Sequence, residues 1–168
     1  MSPVQPIPLP DGSERDSEGR LIKLVFESSP PPPDAGANPW LIAVDGSDNA
    51  LRALAHAATL AGEMKACALH LVHVQPWLSK EAAETELARF ALEATEQARK
   101  LLDARALPWR LHVAMGEPAE RILEQVARLH ATSIIMGSRG LNRVESLVFG
   151  SVTYEVMHRS RVPVMVVP

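Results

Sequence analysis

From Trp40 to the end of the chain, short runs that are apolar throughout alternate with longer segments whose apolar residues recur at helical spacing. The strand candidates are WLIAVD (Trp40 to Asp45), CALHLVHV (Cys67 to Val74), WRLHVAMG (Trp109 to Gly116), SIIMG (Ser133 to Gly137) and VPVMVV (Val162 to Val167). Between the first two lies SDNALRALAHAATLAG, with apolar residues at 51, 54, 55, 58 and 61. This predicts a helix that Ser47 or Asp48 caps and Gly62 ends. A long helix is expected over Lys80 to Ala104, where Leu87, Phe90, Ala91, Ala94, Ala98 and Leu101 fall on one stripe. Another starts at Pro118, a favoured first helical position, and a last one runs near Ser151 to Ser160. Strands that are apolar on both faces need cover on both faces, and helical crossovers make neighbouring strands parallel. The pattern therefore predicts an α/β fold, a three-layer doubly wound sandwich around a five-stranded parallel sheet.

The segment before Trp40 has a different character, with nine of the fourteen prolines. Residues 1–38 read as a proline-rich flexible N-terminal arm and 39–168 as the folded domain. Within the arm, LIKLVF (Leu21 to Phe26) can form a short strand or dock elsewhere, and the run of four prolines is a candidate contact for a protein partner. A net charge of −3 from 17 basic and 20 acidic residues argues against a general nucleic-acid or anionic-membrane surface. No apolar run approaches the ~20 residues of a transmembrane helix, and the N-terminus lacks the pattern of a signal peptide. The single cysteine, Cys67, sits in an apolar run and reads as a buried thiol, which fits a reducing compartment and a cytoplasmic location.

The chemistry concentrates in MGSRGLNRVESLVFGS, Met136 to Ser151. Gly137 and Gly140 let a strand-to-helix turn pass close to a ligand, while Gly150 and Ser151 open a helix whose unpaired N–H groups and positive dipole end suit phosphate. Arg139 and Arg143 can meet phosphate charge from the same loop. Asp45-Gly46-Ser47 ends the first strand, and if strands one and four are neighbours, both clusters face one crevice at the switch point of the sheet. Asp45 either caps the helix that follows or binds a ribose hydroxyl or a phosphate-bound Mg²⁺. His70 and His73 lie three apart in a strand, point to opposite faces and do not share a metal. Trp40, Trp77 and Trp109 flank strands as edge-of-core packing, with Trp77 also placed to cover a bound base.

The spacing Gly137-x2-Gly140-x9-Gly150-Ser151, preceded by SIIM and followed by a helix and VPVMVV, resembles the ATP-binding motif of the universal stress protein family. AVDGSDNA and LHLVHVQP extend the resemblance to roughly Trp40 to Pro168. It implies a strand order of 3-2-1-4-5 in an adenine nucleotide alpha hydrolase-like fold, ATP at the switch point with or without Mg²⁺, and a homodimer paired through the last strand. It further implies that Ala43 and Asp45 border adenine and ribose, that Val74 lines the adenine pocket, and that Met136 to Gly140, Arg139 included, wrap ribose and phosphate. Gly150, Ser151 and Val152 would then cradle the phosphates.

Three functions fit these residues. The leading one is a nucleotide-dependent stress-response or regulatory module that binds ATP without being an enzyme. A slow ATPase or nucleotide hydrolase is the second, against which stands the lack of a Walker-type lysine. The lysines are at 23, 65, 80 and 100, outside the glycine segment, and the only nearby candidates to orient a water, Asp45 and Glu145, have no recognisable partner. The third, a nucleotide-free dimeric interaction module, is disfavoured by the intact glycines.

Overall fold

The computed structural model describes residues 6–33, 38–64, 67–140 and 149–168. Its strands are β1 (Gly12–Arg15), β2 (Leu21–Glu27), β3 (Asn38–Ala43), β4 (Cys67–Gln75), β5 (Trp109–Met115), β6 (Ser133–Gly137) and β7 (Val164–Val167). The helices are α1 (Asp48–Glu63), α2 (Lys80–Ala94), α3 (Glu96–Ala104), α4 (Pro118–Leu129) and α5 (Ser151–Arg159). The strands form one sheet in the order β1-β2-β5-β4-β3-β6-β7. From β5 to β7 all pairs are parallel, which is the expected 3-2-1-4-5 arrangement of the five strands read from the sequence.

Alternate residues of each central strand face opposite layers, as a two-sided core requires. Ile42, Leu69, Leu71, Leu111 and Val113 pack with α1, α2 and α3, whereas Leu41, Val72, Ile134 and Met136 pack with α4 and α5. Ser47 caps α1, its Oγ accepting from the Ala50 N–H at 3.1 Å. Gly62 does not end that helix, which continues to Glu63. The single long helix expected over 80–104 is broken at Thr95. There a fully buried hydroxyl donates to the Ala91 carbonyl at 2.7 Å, a local bond that competes with regular helical geometry.

The sheet has seven strands instead of five, because residues 12–27 are not an extended arm. β2 pairs antiparallel with β5 from Lys23↔Ala114 to Glu27↔Arg110, and β1 pairs antiparallel with β2. The prolines at 6, 8 and 10 and at 30–33 fall outside both strands, so none of them removes a ladder donor. Leu21, Leu24 and Phe26 reach the main core and are nearly completely buried. Polar contacts tie the hairpin to both helical layers. Arg15 pairs with Glu84 of α2, Lys23 donates to Glu124 of α4 at 2.9 Å, and Arg128 donates to Glu14 at 3.1 Å. LIKLVF therefore covers the β5 edge, and β7 remains at the opposite end of the sheet.

Candidate functional site

Chain direction reverses between β3, which leads through α1 to one side of the sheet, and β6, which leads through α5 to the other. Beyond the carboxyl ends of these strands a crevice opens, as expected where winding switches. Its volume is about 450 Å³. All ten residues expected at a site line it: Ala43 and Asp45 after β3, Val74 on β4, Met136, Gly137, Arg139 and Gly140 at the end of β6, and Gly150, Ser151 and Val152 at the start of α5. Arg143 and Glu145 lie outside the described residues.

The glycines are there for close approach. A Cβ on Gly140 would fall 2.5 Å from Asp45 Oδ2, and one on Gly137 would fall 2.8 Å from the Asn49 backbone carbon. The loop leaving β6 thus runs directly over the Asp45 carboxylate and the first turn of α1. Asp45 is not the α1 cap, which Ser47 supplies. Instead its Oδ1 accepts from the Ser47 N–H at 2.9 Å, and Oδ2 faces the glycine loop.

At the other wall, Gly150 is the N-cap of α5, and among the described residues no side chain caps that helix. The Gly150 N–H donates to the Ser138 carbonyl at 2.8 Å, which fixes where the loop returns, and Thr153 Oγ1 donates to the Gly137 carbonyl at 2.8 Å. These two bonds pin the first turn of α5 against the end of β6. Gly150, Ser151 and Val152 therefore line the crevice with the first turn of a helix, whose early N–H groups have no intrahelical partner and whose positive dipole end receives an anion. Arg139 adds positive charge on the same rim. The opposite end is apolar, with Val74, Pro76, Ala94, Pro118 and Ile122. One end thus suits phosphate and the other a flat apolar ring, so the residues present fit an adenine nucleotide.

Ten further lining residues escaped sequence reasoning, most of them apolar, and His73 and Gln75 are the two among them with nitrogen-bearing side chains. His73 is 6% exposed, its Nδ1 lies 2.9 Å from the Val44 carbonyl, and its Nε2 lies 3.2 Å from the Gln75 side-chain amide. The next alternating position on β4, Gln75, was readable as a neighbour of Val74, but only the end of the strand places it in the crevice. His70 faces the other layer, as expected, and its Nδ1 lies 3.0 Å from His112 Nε2 on β5. Burial, with added repulsion from His70 and Arg110, holds the His112 imidazole down at about 3. Among the described residues no group of three or more His, Cys, Asp or Glu is arranged to hold a metal. Trp77 does not cover the crevice. It is 56% exposed, and the Arg20 guanidinium from the hairpin turn sits 5.6 Å from its ring centroid. Cys67, expected to be buried, is half-buried at the start of β4, and desolvation pushes its thiol up to about 11. No helix among the described residues is long and apolar enough to cross a membrane.

An open, doubly wound sheet with a glycine-walled crevice at its switch point defines the class of α/β proteins that hold a ligand beyond the strand ends. The model of the universal stress protein family matches residues 38–168, and the chain belongs to that family. Universal stress protein MJ0531 of Methanocaldococcus jannaschii is 33% identical over 135 residues, covering 76% of this chain and 79% of that one. Stress response protein NhaX of Bacillus subtilis is 36% identical over 75 residues, a match that spans 45% of each chain. Among solved structures, the universal stress protein from Archaeoglobus fulgidus in complex with dAMP superposes with a TM-score of 0.63 at 25% identity, covering 77% of this chain and 97% of that one. The hairpin β1–β2 precedes the matched region.

Proposed function

We propose that this chain is a regulatory stress-response module of the cytoplasm that binds ATP at the switch-point crevice and works without being an enzyme. The observation that carries the reading is the pairing of an α5 N-terminus that no described side chain caps with a loop whose Gly140 lies against the Asp45 carboxylate, where a Cβ would fall 2.5 Å from Oδ2. The ribose lies between Asp45 and the loop, the triphosphate lies along Gly140, Gly150, Ser151 and Val152 with Arg139 beside it, and adenine occupies the apolar end at Ala43 and Val74. A Mg²⁺ bound to the phosphates would be within the province of Asp45 Oδ2. The dAMP complex of the Archaeoglobus fulgidus relative supports an adenine nucleotide as the ligand class. No lysine lines the crevice among the described residues, and Asp45 is its one acid, with one oxygen already turned to Ser47. That set supports binding better than hydrolysis.

The molecule acts as a homodimer joined along β7. The hairpin occupies the β5 edge, whereas β7 ends the sheet with no further strand beside it among the described residues, carries no charge and exposes Met165. The site is tested by calorimetry with ATP on the wild type and on Gly140→Val. The added side chain would have to displace Asp45, and ATP affinity is expected to fall at least tenfold with thermal unfolding little changed. Undiminished affinity in the variant would refute the assignment.

A further inference from the structure

The crevice contains one side-chain amide among the residues that line it, that of Gln75 at the end of β4, and its orientation follows from the hydrogen bonds of His73. The Val44 carbonyl is solely an acceptor, so the His73 nitrogen 2.9 Å away, Nδ1, must carry the imidazole proton. In the neutral ring Nε2 then holds only a lone pair. It lies 3.2 Å from the amide end placed as Oε1 of Gln75, and two acceptors cannot share a hydrogen bond. The pair is satisfied when the amide is turned so that its NH₂ donates to His73 Nε2. That turn presents the carbonyl oxygen of Gln75 to the crevice. His73 is nearly fully buried and held at both nitrogens, so it acts as a fixed template for this orientation.

From this geometry we infer that Gln75 is the base-specificity residue of the site, an acceptor aimed at the exocyclic amine of a 6-aminopurine, with His73 as the positioning residue that sets its polarity. The inference rests on the reading of the crevice as a nucleotide site. A 6-oxopurine in the same place would bring two acceptors face to face, and the half-buried carbonyl of Gln75 would give up its water to the base without gaining a donor. A 6-unsubstituted purine would leave it equally without a donor. Specificity of this kind is expected where a buried polar group must find its partner on the ligand.

The experiment measures, by calorimetry on the full chain, affinities for ATP and for purine riboside 5′-triphosphate, which differs from ATP only in lacking the 6-amino group. The wild type should bind ATP roughly tenfold more tightly than the deamino analogue. Gln75→Met keeps the length and shape of the side chain, and should bring the ratio to within about twofold while both ligands still bind through their phosphates. His73→Asn keeps a donor for the Val44 carbonyl but removes Nε2, so the Gln75 amide is free to turn and the ratio should also fall. Thermal unfolding of each variant checks that the fold persists. A wild-type ratio near one, or a ratio that survives in Gln75→Met, overturns the inference and leaves nucleotide binding standing. Failure of the wild type to bind either ligand overturns the nucleotide reading and this inference with it.

Discussion

Phe26→Ala is the perturbation that separates a hairpin built into the fold from a tail that merely touches it. Phe26 is 3% exposed and lies opposite Leu111 across the β2–β5 ladder, within the same core cluster as Leu71, Leu87 and Leu102. Truncating a buried Phe costs about 3–5 kcal/mol through lost transfer energy and the cavity left behind. Total stabilities of folded domains are about 5–15 kcal/mol, so this is a large fraction. For a chain of this size each kcal/mol moves the midpoint by roughly 2–4 °C, which predicts a fall in Tm of about 6–20 °C. Leu9→Ala supplies the control. Leu9 belongs to the same N-terminal segment but is 89% exposed, and its truncation should change stability by less than about 0.5 kcal/mol. Urea unfolding followed by circular dichroism measures both. If Phe26→Ala behaves like Leu9→Ala, β2 contributes nothing to the core and the hairpin reasoning is refuted.

Two further outcomes follow from burial and from the sheet edge. Because the His112 imidazole titrates near 3 when folded and near 6.5 when unfolded, the unfolded chain binds the extra proton between these values, and stability falls as pH drops through that window. His112→Leu should therefore flatten the slope of unfolding free energy against pH by up to about 1.4 kcal/mol per unit between pH 6 and 4, and equal slopes in variant and wild type would refute the burial argument. Met165→Lys places a charge on the exposed side of β7 and should convert a dimer to monomer in sedimentation at micromolar concentration; a wild type already monomeric there rules the β7 pairing out.

The parallel core was legible because its physical cause is local. SIIMG reads as a buried strand from five residues alone, and the structure begins and ends it at Ser133 and Gly137. Gly137, Gly140, Gly150 and Ser151 were legible from their own spacing, whereas Ala43, Val74, Met136 and Val152 were expected only through the resemblance to a family. The hairpin was not, because LIKLVF carries buried residues at 21, 24 and 26, a spacing broken by the register shift between Glu14 and Arg15 against β2. Its meaning depends on the β5 edge some ninety residues later, a non-local fact. Gln75 escaped for a related reason. Its proposed role depends on a proton assigned by the Val44 carbonyl just past the end of β3, a contact that no pattern within β4 reveals.

The hairpin also changes what the two sheet edges can do. A five-stranded parallel sheet would leave both β5 and β7 with unpaired backbone groups, so either edge could recruit a second chain. Here β2 satisfies the β5 edge within the chain, and the new outer strand, β1, is four residues long, mostly exposed and polar, with Arg15 and Glu14 committed to ion pairs with α2 and α4. A short, charged edge is a poor template for further pairing, whereas β7 keeps four residues, VMVV, with no charge among them. In the proposed dimer, symmetric pairing would therefore fall at the β7 end of the sheet. The crevice opens beyond the strand ends, so an antiparallel β7–β7 junction would carry one mouth at each end of a continuous sheet, and neither mouth would lie under the hairpin that closes the other edge.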